Sequence, residues 1–288
     1  MASVRELRDR IRSLRNTQQI TKAMKQVAAA KIRRAEQARK RSRPYSQTLS
    51  EMLGDLVAAV GALDHPFMKE GKAGAPPGAI VMSADKGLAG AFNANVIRLA
   101  EQFVQAHPGA RLYAIGLKAR NAARRIAGPE CASWPLAGDK LQIARAVASQ
   151  TTLDFTEGRI AEIVLVSSTF VSMMSQRPQE RRLVPILKEA IAEDRDRSAS
   201  TRGAVEFLPS PEIVLSHLLP KYLEFTLYAA MLETDAAFFA AQLIAMSNAT
   251  DNAGKAIDES TVEMNNARQA AITKELLEIV AGAEALAG

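Results

Sequence analysis

The residues with the best claim to chemistry lie between positions 83 and 95. Gly87-Leu88-Ala89-Gly90 follows an apolar β-type run and precedes a helical stretch, the setting in which backbone amides can cradle a phosphate. The segment lacks the Gly-Lys-Ser/Thr ending of a nucleotide loop and the full spacing of a dinucleotide loop, so it reads as tight-turn glycines. Asp85 and Lys86 beside it read as turn residues rather than as an acid–base pair. His65, His107 and His217 fall on a linker, a helix end and a helix, none at metal-ligand spacing from another His, Cys or paired carboxylate. Cys131 is the only cysteine, so an internal disulfide and a Cys-based zinc site are both excluded, and a reducing compartment is the natural reading. No Gly-x-Ser-x-Gly segment is present, and no histidine accompanies Cys131 as a base. Trp134 reads as a packing residue. The chain is expected to be non-catalytic and cofactor-free, and its function to reside in surfaces.

Charge supplies the next observation. Residues 1–43 carry 14 Lys/Arg against 3 acids, whereas residues 212–288 carry 4 against 11. Oppositely charged ends attract, so the two termini are expected to pack together, with positive charge left over for an acidic partner. A basic helix could instead bind nucleic acid, which is the alternative reading. Against it, the basic residues are interleaved with an apolar stripe and an acidic helix is available as partner. The Arg-rich, amphipathic first 16 residues look superficially like a transit peptide, but the same pattern continues far past any cleavage site. No run approaches the roughly 20 apolar residues that span a bilayer. The most apolar stretch, 236–246, contains Gln242 and follows Asp235.

These features need elements to carry them. Apolar residues are 48% of the chain but aromatics only 5%, a composition suited to long helices packed through small residues. Val4, Leu7, Ile11 and Leu14 open a helical stripe that resumes at Ile20, Met24 and Val27 and drifts to Ala28, Ile32 and Ala35. That spacing predicts one helix over about 2–62 without a strict heptad, kinked or broken near Pro44. Residues 63–77 read as a Pro/Gly linker. Short apolar runs at 79–83, 111–115 and 163–167 alternate with helical stretches and predict a small α/β domain over 78–207, with further extended structure at a sheet edge in 170–186. Residues 193–203 read as an exposed polar loop. Ser210-Pro211-Glu212 starts a second long helix to the end of the chain, bending near Pro220, with its stripe continuing through Leu243, Met246, Ala253 and Ile257 to Ala271. The predicted fold is an antiparallel coiled coil of the two terminal helices, with a small Rossmann-like α/β domain between them.

Several co-linear blocks resemble one family. The segments 11–34 (IRSLRNTQQITKAMKQVAAAKIRR), 83–95 (SADKGLAGAFNAN), 175–186 (SQRPQERRLVPI), 209–224 and 245–286 resemble, in order, the gamma subunits of F-type ATP synthases. The resemblance implies a rotating central shaft inside a ring of three alpha and three beta subunits, with the epsilon subunit and the membrane c-ring at its foot. It implies a peripheral location at the cytoplasmic face of the bacterial plasma membrane. Met24 and Lys25 correspond to positions facing an acidic loop of a beta subunit, and Arg268, Gln269, Thr273 and Glu275 to contacts on the C-terminal helix. Glu206, Phe207, Leu208, Pro209 and Ser210 correspond to the foot. Gln242, grouped with the ring-contact positions, and Ser247 stand where many relatives carry Arg and Lys, so charged contacts are not implied there. With Cys131 alone, the cysteine-bearing redox insert of plant-type relatives is not expected.

Overall fold

The computed structural model describes residues 3–60, 65–128, 131–186, 208 and 210–287. The chain forms two compact units, residues 1–28 with 242–288, and residues 29–241. Two long helices contribute to both: α1 (Val4–Val60) and α5 (Pro211–Ala287). Helix α1 continues through Pro44, so the break expected there is absent. Proline removes only its own amide, leaving the Lys40 carbonyl without its helical donor, and the flanking turns hold the geometry.

In the larger unit the chain alternates β1 (Gly78–Met82), α2 (Phe92–Ala106), β2 (Arg111–Ile115), α3 (Leu117–Ala127), β3 (Ala132–Trp134), α4 (Lys140–Thr156), β4 (Ile163–Phe170) and β5 (Gln176–Val184). The sheet order is β3-β2-β1-β4-β5, parallel throughout except for β5, which pairs antiparallel with β4. Every residue of β1 is buried, as its unbroken apolar run requires of a strand covered on both faces. Ala79 and Val81 meet α2 and α3, while Ile80 and Met82 meet α4 and the helix pair. On α5 the stripe Leu215, Leu219, Leu223, Leu227 is at most 2% exposed, and each burial stabilises by about 2 kcal/mol. Helix α5 is long and apolar enough by composition to cross a membrane, unlike the sequence expectation, but half of its apolar window is buried inside the protein. Phe67, on a 3-10 turn in the segment read as a linker, is also buried, and its carbonyl accepts from Ile186 N–H at 2.7 Å. The polar stretch 193–203 lies outside the described residues.

The helix pair is antiparallel within each unit. In the larger one, Tyr45 packs against Phe225 with tilted rings (4.4 Å between centroids) and Lys31 lies over Phe239. In the smaller one, Lys25 Nζ donates to Ser247 Oγ at 3.0 Å and Thr250 Oγ1 to Thr21 Oγ1 at 2.8 Å. The seam along α1 differs from the expected one. The inward positions are Leu7, Ile11, Leu14, Gln18, Thr21, Lys25, Ala28, Ile32 and Ala35, a strict 4-3 alternation, whereas Ile20 (60%) and Val27 (53%) are exposed. Following hydrophobicity alone led off the seam, because three of its layers are polar. The 4-3 spacing was the available signal.

Two carboxylates hold α5 to the α/β layer. Asp235 pairs with Lys140 at 2.9 Å, and Glu233 accepts from Phe170 N–H at 3.3 Å. Burial is the largest influence on both and raises their pKa, against the pull of Lys140 and Lys31 on Asp235 and of Arg39 and Arg181 on Glu233; Asp85 adds to the rise at Asp235. A carboxylate raised in the folded state takes up a proton on folding, so its contribution to stability is present at low pH and lost as pH rises through the folded value. Glu233→Gln keeps the acceptor for Phe170 without the charge. It should be more stable than the wild type at pH 7–8, by a margin that vanishes as pH falls to about 4. Urea midpoints across that range check it, and an equal margin at all pH values would refute the burial argument.

Candidate functional site

At the carboxyl end of the parallel strands the loop after β1 is wired to its neighbours. Asp85 Oδ1 accepts from Leu117 N–H at 2.8 Å and Leu136 N–H at 3.3 Å, and Oδ2 from Ala137 N–H at 2.9 Å. Asn93 receives the Ala84 amide (3.1 Å) and donates to the Lys86 carbonyl (3.0 Å). At the start of α3 the Leu117 amide is therefore engaged by this carboxylate and the Lys118 amide by the Ala84 carbonyl at 3.2 Å, so neither is open to an anion. Leu88 takes a left-handed conformation (φ 61°) with its side chain 62% exposed. Asp85 is thus a turn-fixing residue, which the sequence signalled only by its place beside the glycines. His65 Nδ1 accepts from Phe67 N–H at 3.1 Å, and burial lowers its pKa. The Cys131 thiol points at the Leu112 carbonyl (3.0 Å), with burial as the main influence raising its pKa. Among the described residues no three His, Cys, Asp or Glu side chains converge to hold a metal ion.

Surfaces are more informative than cavities. In the smaller unit Met24, Lys25 and Gln242 are half-buried, and Arg268, Gln269, Thr273 and Glu275 are exposed on α5. Lys25 is turned toward Ser247 across the seam, while Met24 is half-buried beside the exposed Ile20 and Val27. A second lysine at 247 would set two ammonium groups together; the serine hydroxyl accepts instead. Lys25 lies opposite Ser247, and the pairing runs one residue back on α1 for each residue forward on α5. Val4 therefore falls near Arg268, and beyond this point α5 has no partner helix among the described residues. The sequence-based stripe through Ala271 thus loses its partner helix: Ala271 is exposed, and so are Ile272 (50%), Leu276 (58%), Leu277 (64%), Ile279 (67%) and Val280 (55%). The predicted contacts Arg268, Gln269, Thr273 and Glu275 sit where this overhang begins.

The other predicted surface is the start of α5. Glu206, Phe207 and Pro209 lie outside the described residues; Leu208 is 76% exposed, and the Ser210 hydroxyl faces the Ile213 amide at 3.4 Å. Beside them an apolar groove of about 440 Å³, lined by Tyr45, Leu49, Met52, Ile213 and His217, separates α1 from the first turns of α5. Sequence reasoning did not single out this groove, whose walls come from residues some 160 positions apart.

Comparison with known proteins places the chain among relatives. A family model described as ATP synthase matches residues 3–286. The chain is 42% identical to the ATP synthase gamma chain of Moorella thermoacetica over 99% of its own length and 100% of the relative's. It is 40% identical to that of Desulforamulus reducens and 39% to that of Phenylobacterium zucineum, with the same coverage. Among solved structures, a chain of the Euglena gracilis mitochondrial ATP synthase (OSCP, F1 and c-ring) superposes with a TM-score of 0.68 at 17% identity, covering 98% of this chain and 94% of that one. A chain of the Tetrahymena thermophila mitochondrial ATP synthase central stalk and c-ring gives 0.59 at 22% identity, covering 80% of this chain and 99% of that one. These two likenesses show a shared fold; nothing comparable supports the nucleic-acid reading. With full-length relatives near 40% identity and a matching family model over almost every residue, the chain belongs to the ATP synthase gamma chain family.

Proposed function

We propose that this chain is the rotating central stalk of an F-type ATP synthase, transmitting torque between a membrane c-ring and a ring of three alpha and three beta subunits, and performing no catalysis itself. The observation that carries the reading is the α5 overhang, whose exposed Ile272, Leu276, Leu277, Ile279 and Val280 have no partner helix among the described residues. Apolar side chains at that density call for a surrounding partner surface. The polar residues at its base, Arg268, Gln269, Thr273 and Glu275, can make directional bonds in one rotary position and exchange them in the next. Met24 is half-buried next to the exposed Ile20 and Val27, and Lys25 retains two further ammonium protons for an acidic partner besides the one given to Ser247. Gln242 adds a neutral contact on the same unit. The foot is assigned to Glu206–Ser210, with exposed Leu208 and the Tyr45–Met52–Ile213 groove offering apolar contact to the epsilon subunit and c-ring. Membrane association through partners, at the cytoplasmic face of a bacterial plasma membrane, follows from this placement.

MgATP hydrolysis by purified alpha and beta subunits from the same organism, with and without the chain, tests the reading. A stable complex holding one copy of the chain, with hydrolysis raised several-fold, is the expected result. Absence of both complex and stimulation would overturn it.

A further inference from the structure

We propose that the apolar groove between α1 and the first turns of α5 binds a single-chain anionic amphiphile, a medium-chain fatty carboxylate. The groove measures about 440 Å³, within the range of small-ligand sites. Leu49 and Met52 form one wall, and Ile213, Val214 and Leu218 the other. Met52 is 41% and Ile213 47% exposed, so apolar surface lies open to water there. The ionisable groups lining the groove are His217 and Lys221, both nitrogen donors, and no carboxylate lines it among the described residues. They stand one turn apart on α5, so a single carboxylate can meet both. From Ile213 to Lys221 the helix rises about 12 Å, the length of an extended medium acyl chain.

Lys221 already reaches both Glu224 oxygens, at 2.9 and 3.1 Å. Glu224 lines a second cavity of about 660 Å³ that shares Tyr45 and Lys221 with the groove, and Arg145 pairs with it at 3.4 Å. The Lys221 and Arg145 side chains are both 54% exposed, and ion pairs of that kind hold weakly. Lys221 can therefore turn to a ligand while Glu224 keeps Arg145, so the half-buried carboxylate is not left alone. A chain amine would meet like charge at the same place, and a chain alcohol would gain the apolar burial without the ion pair. In the stalk reading the groove offers apolar contact to a protein partner, so a bound carboxylate would compete with that partner. The binding itself does not rest on that reading.

The test uses the full-length chain with carbon-13 in its methionine methyl groups, titrated with hexanoate, octanoate, decanoate and dodecanoate below their micelle-forming concentrations. Nuclear magnetic resonance then reads the Met52 methyl in the groove, with Met174, 80% exposed on the turn between β4 and β5, as control. Met52 should shift saturably with a midpoint near about 0.1 mM decanoate while Met174 stays still. Affinity should rise about tenfold for each two added carbons up to decanoate, then level off at dodecanoate. Lys221→Gln should weaken decanoate several-fold and leave decanol unchanged, a split that loss of packing alone would not produce. Ile213→Glu, at an exposed wall position, should weaken decanoate by about tenfold or more. Should that variant fail to fold, Thr48→Glu on the opposite wall is read the same way. No Met52 shift at about 1 mM decanoate, equal shifts at Met52 and Met174, or decylamine binding as tightly as decanoate would overturn the inference, whether or not the chain drives ATP hydrolysis.

Discussion

Gly116→Ala should destabilise the α/β layer by about 3–5 kcal/mol, the sum of backbone strain and overpacking. Gly116 follows β2 and precedes α3 with φ 94° and ψ 148°, a conformation that L side chains rarely adopt. Its amide donates to the Trp134 carbonyl at 2.8 Å, and its carbonyl accepts from Arg120 N–H at 2.9 Å, so it is tied on both sides. A Cβ at this position would lie 2.0 Å from the Ser83 carbonyl oxygen at the end of β1, a backbone atom that cannot swing aside. Relief requires β1 and β2 to separate at their carboxyl ends, where Asp85 bridges to Leu117 and Ala137. Trp134 is the only tryptophan and packs against the affected core, so its fluorescence during urea unfolding reports the loss. Gly128→Ala is the control: its φ is also positive at 90°, but nothing stands within 4 Å of an added Cβ, so only the strain of about 1–2 kcal/mol should be seen. Equal losses at the two sites would show that the close approach to Ser83 does not matter.

The second large effect is expected at Asp154, 2% exposed near the end of α4. Its carboxylate accepts from the Tyr113 hydroxyl through a very short hydrogen bond, from Gln150 Nε2 at 3.1 Å, and pairs with Arg159 at 3.0 Å. Its carbonyl accepts the amides of Arg159 (2.8 Å) and Ile160 (3.2 Å), closing the helix end. Burial, followed by the bond to and the charge of Asp154, drives the Tyr113 phenol well above its ordinary range, so it stays a donor at any physiological pH. Asp154→Ala strands that hydroxyl and leaves Arg159 to its second carboxylate partner, Glu157. Because the Arg159 side chain is 41% exposed and can find water, the expected loss is about 2–3 kcal/mol rather than that of a fully buried pair. Tyr113→Phe should cost about 1 kcal/mol alone and almost nothing once Asp154 is alanine, since both act through one network. Additive losses in the double variant, read by Trp134 fluorescence, would count against the network.

Much of the plan was legible from residue pattern. Strands β1, β2 and β4 appear as short, mainly apolar runs because both faces of the sheet are covered. The long helices appear in their periodicity, and their opposite charges foretold that the ends would pair. The co-linear blocks pointed to the family. Strand β3 was missed: three residues, Ala132–Trp134, are too few to carry a period, and only pairing to β2 defines them.

The amino-acid order by itself determined the two long helices, the main strands, the antiparallel pairing of the ends and the absence of motifs for catalysis, because each depends on local spacing, charge or composition. Tertiary structure decided which face of α1 is the seam, since Ile20 and Val27 are as apolar as the residues that turn inward and only the 4-3 spacing hinted otherwise. It alone decided where α5 outruns its partner and becomes a surface, because that depends on register across more than 220 residues. It also placed Asp85 on the amides of Leu117 and Ala137 and Asp154 on Tyr113. A carboxylate's sequence neighbours do not reveal which distant donor it will meet.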